Sequence, residues 1–180
     1  SKNKSVKEPE KEIEEIKTKT ATKLYVNLGE PERAKEIAKL NVDGVGLLRA
    51  EFMIANIGIH PKEAIKQNKQ DHFIYKLTHY LSKFCEVFSP RPVVYRATDF
   101  KTNEYRALPG GKYWEPEEPN PLMGFRGAFR YVASPEVFNL ELQAIKKVRE
   151  HHKNLWLMIP FVRSPEELSA VRRIVEMEGL

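Results

Sequence analysis

Four short, mainly apolar runs recur along this chain, and their alternation with helical stretches restricts the fold more than any other property of the sequence. Leu24-Tyr-Val-Asn-Leu28, Val45-Gly-Leu-Leu48, Pro92-Val-Val-Tyr95 and Leu155-Trp-Leu-Met-Ile-Pro160 are bounded by Gly, Pro or charged residues. Runs of this length with helical pattern between them mark βα units of a parallel sheet, so the chain is expected to be α/β with about four such units. In sheets of that kind ligands collect at the carboxyl ends of the strands.

The intervening stretches supply the helices. Pro31 stands near a first helical position, and Ala34, Ile37 and Ala38 line one face to about Leu40. One long helix is expected from about Pro61 to Phe88, with Ile74, Leu77, Leu81, Phe84, Cys85 and Phe88 inward. Ser134-Pro135 opens another, with Phe138, Leu142, Ile145 and Val148 inward. Ser164-Pro-Glu-Glu167 has the form of a capping box before a last helix whose buried face is Leu168, Val171 and Val175. Ser1 to Thr22 reads as a charged linker with a short helix over Lys11 to Lys17, and Lys101 to Asn120 as an irregular excursion long enough to expect function or a partner contact.

Two of the strands end on arginine, at Arg49 and Arg96, where this topology puts ligands. A third arginine, Arg126, lies in Glu115-Pro-Glu-Glu-Pro-Asn-Pro-Leu-Met-Gly-Phe-Arg-Gly-Ala-Phe-Arg-Tyr131. Pro116, Pro119 and Pro121 fix φ there, while Gly124 and Gly127 permit tight backbone paths on either side of Arg126. A segment so constrained aims a guanidinium, whose planar fork suits a carboxylate or a phosphate. Arg49, Arg96 and Arg126 are therefore expected at the rim of one pocket for a small anion. The competing reading is a set of structural ion pairs, such as Arg49 with Glu51 or Arg96 with Asp99.

Charge and composition exclude other classes. The 180 residues carry thirty basic and twenty-five acidic side chains, a net +5, but the signs are interspersed and no basic block or module signature points to nucleic acid. One cysteine rules out a disulfide framework, and Cys85 lies on the apolar stripe of the long helix as a small buried hydrophobe. No run approaches the roughly 20 apolar residues of a membrane span, and Ser1 to Thr20 lacks an apolar signal segment, so a cytoplasmic location is expected. Gly110-Gly-Lys112 lacks the spacing and the following Ser or Thr of a phosphate loop. His151-His152 suits a helix end and solvent better than a metal.

Five blocks in order carry a family resemblance: Gly44-Val-Gly-Leu-Leu-Arg-Ala-Glu-Phe-Met53, Ile57-Gly-Ile-His-Pro61, Val94-Tyr-Arg-Ala-Thr-Asp-Phe-Lys-Thr-Asn-Glu-Tyr105, the loop from Asn120 to Tyr131, and Leu157-Met-Ile-Pro-Phe-Val-Arg-Ser164. Together they resemble the phosphoenolpyruvate synthase (pyruvate, water dikinase) branch of the PEP-utilising enzymes. Pyruvate phosphate dikinase and the first enzyme of the sugar phosphotransferase system share the fold and the arginines but differ in the third block. Asn120-Pro-Leu-Met-Gly124 departs from the family's usual Asn-Pro-Met-Leu-Gly by a volume-conserving exchange.

The resemblance implies the first half of a (β/α)8 TIM-type barrel over residues 23–180, preceded by the linker of residues 1–22. It implies an enzyme that makes phosphoenolpyruvate, AMP and phosphate from pyruvate, ATP and water through a phosphohistidine. Arg49 and Arg96 would bind pyruvate or phosphoenolpyruvate, and Arg126 would be a third contact to the phosphoryl oxygens. Asp99 and Glu104, by position, would orient the arginines, and Asn120 would brace the loop. His60 would be a packing or hydrogen-bonding residue of its loop. No catalytic residue and no metal ligand is assigned within the chain: Mg2+ is expected on carboxylates of later strands, ATP at a separate domain, and the isolated chain is expected to be inactive. Implied partners are the other half of the barrel, the phosphohistidine domain and further copies in a homo-oligomer. A noncatalytic half-barrel module is the alternative, using its unpaired strand edges or the 101–120 excursion for assembly or regulation.

Overall fold

The computed structural model describes residues 20–180; the expected helix over Lys11 to Lys17, and the linker up to residue 19, lie outside the described residues. Strands β1 (Tyr25–Leu28), β2 (Gly44–Arg49), β3 (Val93–Arg96) and β4 (Leu155–Met158) form one sheet in the order β1-β2-β3-β4. Every neighbouring pair is parallel. Sequential order with parallel pairing requires a crossover after each strand, and helices supply it.

The helices are α1 (Ala34–Ile37), α2 (Ala50–Ile57), α3 (Pro61–Lys66), α4 (Gln70–Phe88), α5 (Thr102–Arg106), α6 (Gly111–Trp114), α7 (Gly127–Ala133), α8 (Pro135–His151) and α9 (Pro165–Met177). Single 3-10 turns at Pro31–Arg33 and Pro121–Met123 complete the described elements. The inward stripe of α4, from Phe73 to Phe88, and that of α8, Phe138, Leu142, Ile145 and Val148, are buried as their spacing requires. Cys85 lies within the first stripe, and burial pushes its thiol up to about 12.

The two faces of the sheet are unlike. Val45, Leu48, Val93, Tyr95 and Leu155 are buried, while Tyr25, Trp156 and Met158 are exposed. Trp156 pairs in register with Val94, and Met158 with Arg96, so these side chains share the face away from the buried set. Parallel sheets are ordinarily covered on both faces. A parallel four-stranded sheet with one sealed and one open face is consistent with a partial barrel.

Several expectations need correction. The helix expected to run unbroken from Pro61 to Phe88 is two helices: Asn68 takes a left-handed φ of 54°, and Lys69 N–H closes the turn on Ala64 O at 2.8 Å. Gln67-Asn-Lys-Gln70 offers no apolar side chain to hold a helix onto the core there. The excursion from Lys101 to Asn120 contains α5 and α6, and α2 follows Arg49 directly. The helix after Pro31 opens as a 3-10 turn and stops at Ile37 instead of Leu40. On α9, Val171 is buried but Leu168 is 45% exposed, because among the described residues nothing covers that flank. Ser164 caps α9 by accepting from Glu167 N–H at 3.2 Å, whereas the Glu167 carboxylate reaches back to Arg163 N–H at 2.7 Å, one residue before the cap.

Candidate functional site

The register of the sheet builds the site. Arg49 lies opposite Arg96 at the carboxyl ends of β2 and β3, so both guanidinium groups leave the sheet at one level. The first turn of α2 places Glu51 beside them: Arg96 Nη2 donates to Glu51 Oε1 at 3.0 Å, and the same oxygen accepts the Asp99 N–H at 2.7 Å. Asp99 in turn receives Arg126 as a fork, Nε on Oδ1 at 2.9 Å and Nη2 on Oδ2 at 2.7 Å. Arg96 Nη1 stands 3.7 Å from the second of those oxygens. The Asp99 hydrogen bond and charge hold Arg126 still more firmly protonated than a free arginine. Its guanidinium also stacks 4.4 Å over Phe161.

Arg49, Arg96, Arg126, Asp99 and Glu104 all line one open cleft of about 380 Å3, together with Glu51, Phe52 and Lys101. Arg49 is exposed and makes no side-chain hydrogen bond or ion pair among the described residues. Glu104 caps α5, accepting Lys101 N–H at 2.8 Å and facing Lys101 Nζ at 3.4 Å, so it acts on the arginines only through space. Of the two structural ion pairs that compete with a binding role, Arg96 with Asp99 is present at 3.7 Å, whereas Glu51 pairs with Arg96 and not with Arg49. Arg49, Arg96, Arg126 and Lys101 thus face Glu51, Asp99 and Glu104, which leaves the cleft with one basic charge in excess.

Asn120 does not enter the cleft. It is exposed, its side chain caps nothing, and only its carbonyl takes part in the turn, accepting Met123 N–H at 3.3 Å. Glu118 braces the loop instead, accepting Phe125 N–H at 3.0 and 3.2 Å and the Thr102 hydroxyl at 2.7 Å. Its carboxylate occupies the space that any side chain at position 124 would need. Gly127 is required too, with φ +57° and a notional Cβ 2.7 Å from the Pro160 carbonyl oxygen. Arg163 ties the loop to the start of α9 by donating to Gly124 O at 2.6 Å.

Behind the loop His60, Glu115 and Arg130 form a buried network. Lys62 N–H donates to His60 Nδ1 at 3.1 Å, which leaves Nε2 to donate to Glu115 Oε1 at 2.9 Å. Arg130 forks onto both Glu115 oxygens at 2.6 and 2.7 Å. Burial pushes the Glu115 carboxyl up, but the bonds from His60 and Arg130 and the Arg130 charge together hold it below the usual carboxylate range. His60 is thus a hydrogen-bonding residue of its loop.

Among the described residues no group of three or more His, Cys, Asp or Glu is placed to hold a metal ion. In the cleft, Asp99 is committed to Arg126, and Glu51 Oε2 is the one buried carboxylate oxygen without a partner. A single free oxygen is not a donor set for Mg2+.

The family model for the PEP-binding domain of PEP-utilising enzymes matches residues 3–179. This chain belongs to the PEP-utilising enzymes. Within that family it is 49% identical over 166 residues to a probable phosphoenolpyruvate synthase of Staphylothermus marinus, covering 89% of this chain and 20% of that protein. It is 47% identical over 174 residues to the phosphoenolpyruvate synthase of Aeropyrum pernix, covering 93% and 21%. The phosphoenolpyruvate synthase of Pyrococcus furiosus is 45% identical over 162 residues, covering 89% and 20%. The chain therefore spans about a fifth of the length of the curated relatives it matches.

Proposed function

We propose that this segment supplies the arginines that bind pyruvate and phosphoenolpyruvate in a phosphoenolpyruvate synthase. The observation that carries the reading is the convergence of Arg49, Arg96 and Arg126 on one cleft at the strand ends. Arg49, with all its donors free, is suited to the substrate carboxylate or a phosphoryl oxygen. Arg96 and Arg126, held by Glu51 and Asp99, meet the charge that develops as phosphorus passes between oxygen and nitrogen. In the synthetic direction the pyruvate enolate oxygen forms the O–P bond while the phosphohistidine N–P bond breaks.

The relatives' names, the family match and the open sheet face support the wider reading. Residues 23–180 are the first half of a (β/α)8 barrel, and the second half adds strands at the β4 edge. Mg2+ ligands, the ATP site and the carrier histidine lie outside this segment, the whole is a cytoplasmic homo-oligomer, and the isolated chain does not turn over. In the complete enzyme Arg49→Ala and Arg96→Ala should each lower phosphoenolpyruvate synthesis about 1000-fold. Near-normal rates would overturn the assignment and favour a noncatalytic assembly module, whose oligomeric state neither substitution would disturb.

A further inference from the structure

Beneath the cleft lies a carboxylate that the binding reading does not use. Glu141, on α8, is fully buried among the core apolar side chains. Its Oε2 accepts the Tyr95 hydroxyl at 2.7 Å and the Thr98 N–H at 3.0 Å, and Oε1 lies 3.4 Å from the same N–H. The Thr98 carbonyl accepts the Tyr131 hydroxyl from α7. Thr98 is thereby held at both its amide and its carbonyl, and the next residue is Asp99, the partner of Arg126.

We propose that Glu141 is a positioning residue of the arginine cleft: with Glu51 on the Asp99 amide, its carboxylate on the Thr98 amide fixes the turn after β3 that presents Asp99 to Arg126, and protonation of Glu141 loosens that presentation. A hydrogen bond to a carboxylate is roughly twice as strong as one to a neutral acceptor. Protonation therefore weakens both bonds at Oε2 at once, and the turn has no other side-chain hold on the Thr98 amide.

The surroundings make this proton the responsive one. Burial, with a smaller contribution from the Glu51 charge, pushes the Glu141 carboxyl up to about 7 against the bonds from Thr98 and Tyr95. The ionisable groups that face it are Tyr95 on β3, Tyr105 on α5, Tyr131 on α7 and Glu51 on α2. Burial raises all three phenols, so they stay neutral throughout the range in which Glu141 changes charge.

The proposal rests on the arginine cleft being the binding site, but its first readout needs no ligand. Carboxyl-carbon and amide resonances of the 180-residue chain are followed from acid to mildly alkaline pH, in the parent and in Glu141→Gln. The expected result is a Glu141 titration near neutrality, with the Thr98 and Asp99 amides and Arg126 Nε–H shifting at the same midpoint. All three should be flat in Glu141→Gln, which keeps an acceptor for Thr98 and removes the charge. Thr98, Asp99 and Arg126 signals indifferent to the Glu141 titration, or unchanged by the substitution, would overturn the proposal. Should Glu141→Gln not fold, coincidence or its absence in the parent decides alone. Calorimetric titration with phosphoenolpyruvate adds the functional readout: a several-fold loss of affinity below the midpoint in the parent and none in Glu141→Gln. Coincident resonance titrations without any phosphoenolpyruvate binding would sustain the positioning role and overturn the binding reading.

Discussion

Arg126 and Arg130 stand four residues apart and serve opposite ends. Arg130 is 3% exposed, forks onto Glu115, donates to the Phe125 carbonyl at 2.8 Å, and lies between the Tyr105 and Phe125 rings at 4.6 and 4.3 Å. It pins the loop of residues 115–131 to His60 at the start of α3 and has no face left for a ligand. Arg126 also forks onto a carboxylate, yet it opens on the cleft beside Arg96 and the unpaired Arg49. Ion pairing alone therefore does not separate a scaffold arginine from a binding one. Access does.

Arg130→Ala should be the most destabilising change in the loop. Removing one partner of a buried pair leaves the other charge uncompensated, at a cost of about 3–5 kcal/mol. Denaturant unfolding should show that loss, and a value below about 1 kcal/mol would erase the distinction between the two arginines. The same network predicts an acid limb. A depressed carboxyl contributes stability that is present above its ordinary pKa of 4.5 and disappears as pH falls through the folded value. Glu115→Gln should flatten that limb while lowering stability at neutral pH.

The next effect has the opposite sign. Glu141 is raised from 4.5 to about 7, so the folded state binds this proton more tightly than the unfolded one. Its contribution is full below about 4.5 and is lost as pH rises towards 7. At pH 8 the buried charge costs up to about 3 kcal/mol, and Glu141→Gln should recover part of that at pH 8 and almost none at pH 5. Thermal melts at the two values test the sign. Arg126→Ala comes third, at about 2 kcal/mol, because its fork on Asp99 is charge-assisted but the pair is only partly sealed.

The contrast between scaffold and site was partly legible in the residues themselves. Arg49, Arg96 and Arg126 could be found because β-strand ends and a Pro/Gly-constrained loop announce where a side chain must go. Asp99 follows by proximity in sequence and holds Arg126, whereas Glu104, read the same way, lines the cleft but bonds to Lys101. Asn120 misled, because a loop brace is set by which carboxylate reaches the free amides, and that was Glu118, two residues earlier. Glu51 meets Arg96 and not its nearer sequence neighbour Arg49, since the strand register and not the sequence interval decides which guanidinium it reaches. Glu141 carries a signal of its own. It lies three residues after Phe138 and four before Ile145, a charge on an apolar stripe, where burial forces it to find partners. The break at Asn68 is signalled by seven polar residues in a row, Lys66 to His72, which leave the helix nothing to bury.

The smallest change in stability is expected at Arg49. Arg49 is exposed and without a side-chain partner among the described residues, so Arg49→Ala breaks no bond and buries no orphan. Substitutions of that kind stay within about 0.5 kcal/mol of the parent's stability. The same change removes the most available guanidinium of the cleft, and phosphoenolpyruvate affinity, measured by calorimetric titration, should fall by at least about tenfold. A stability loss equal to that of Arg130→Ala would show that Arg49 belongs to the scaffold. Unchanged stability with lost affinity would separate the two regions cleanly, because Arg130→Ala cannot weaken binding without first weakening the fold.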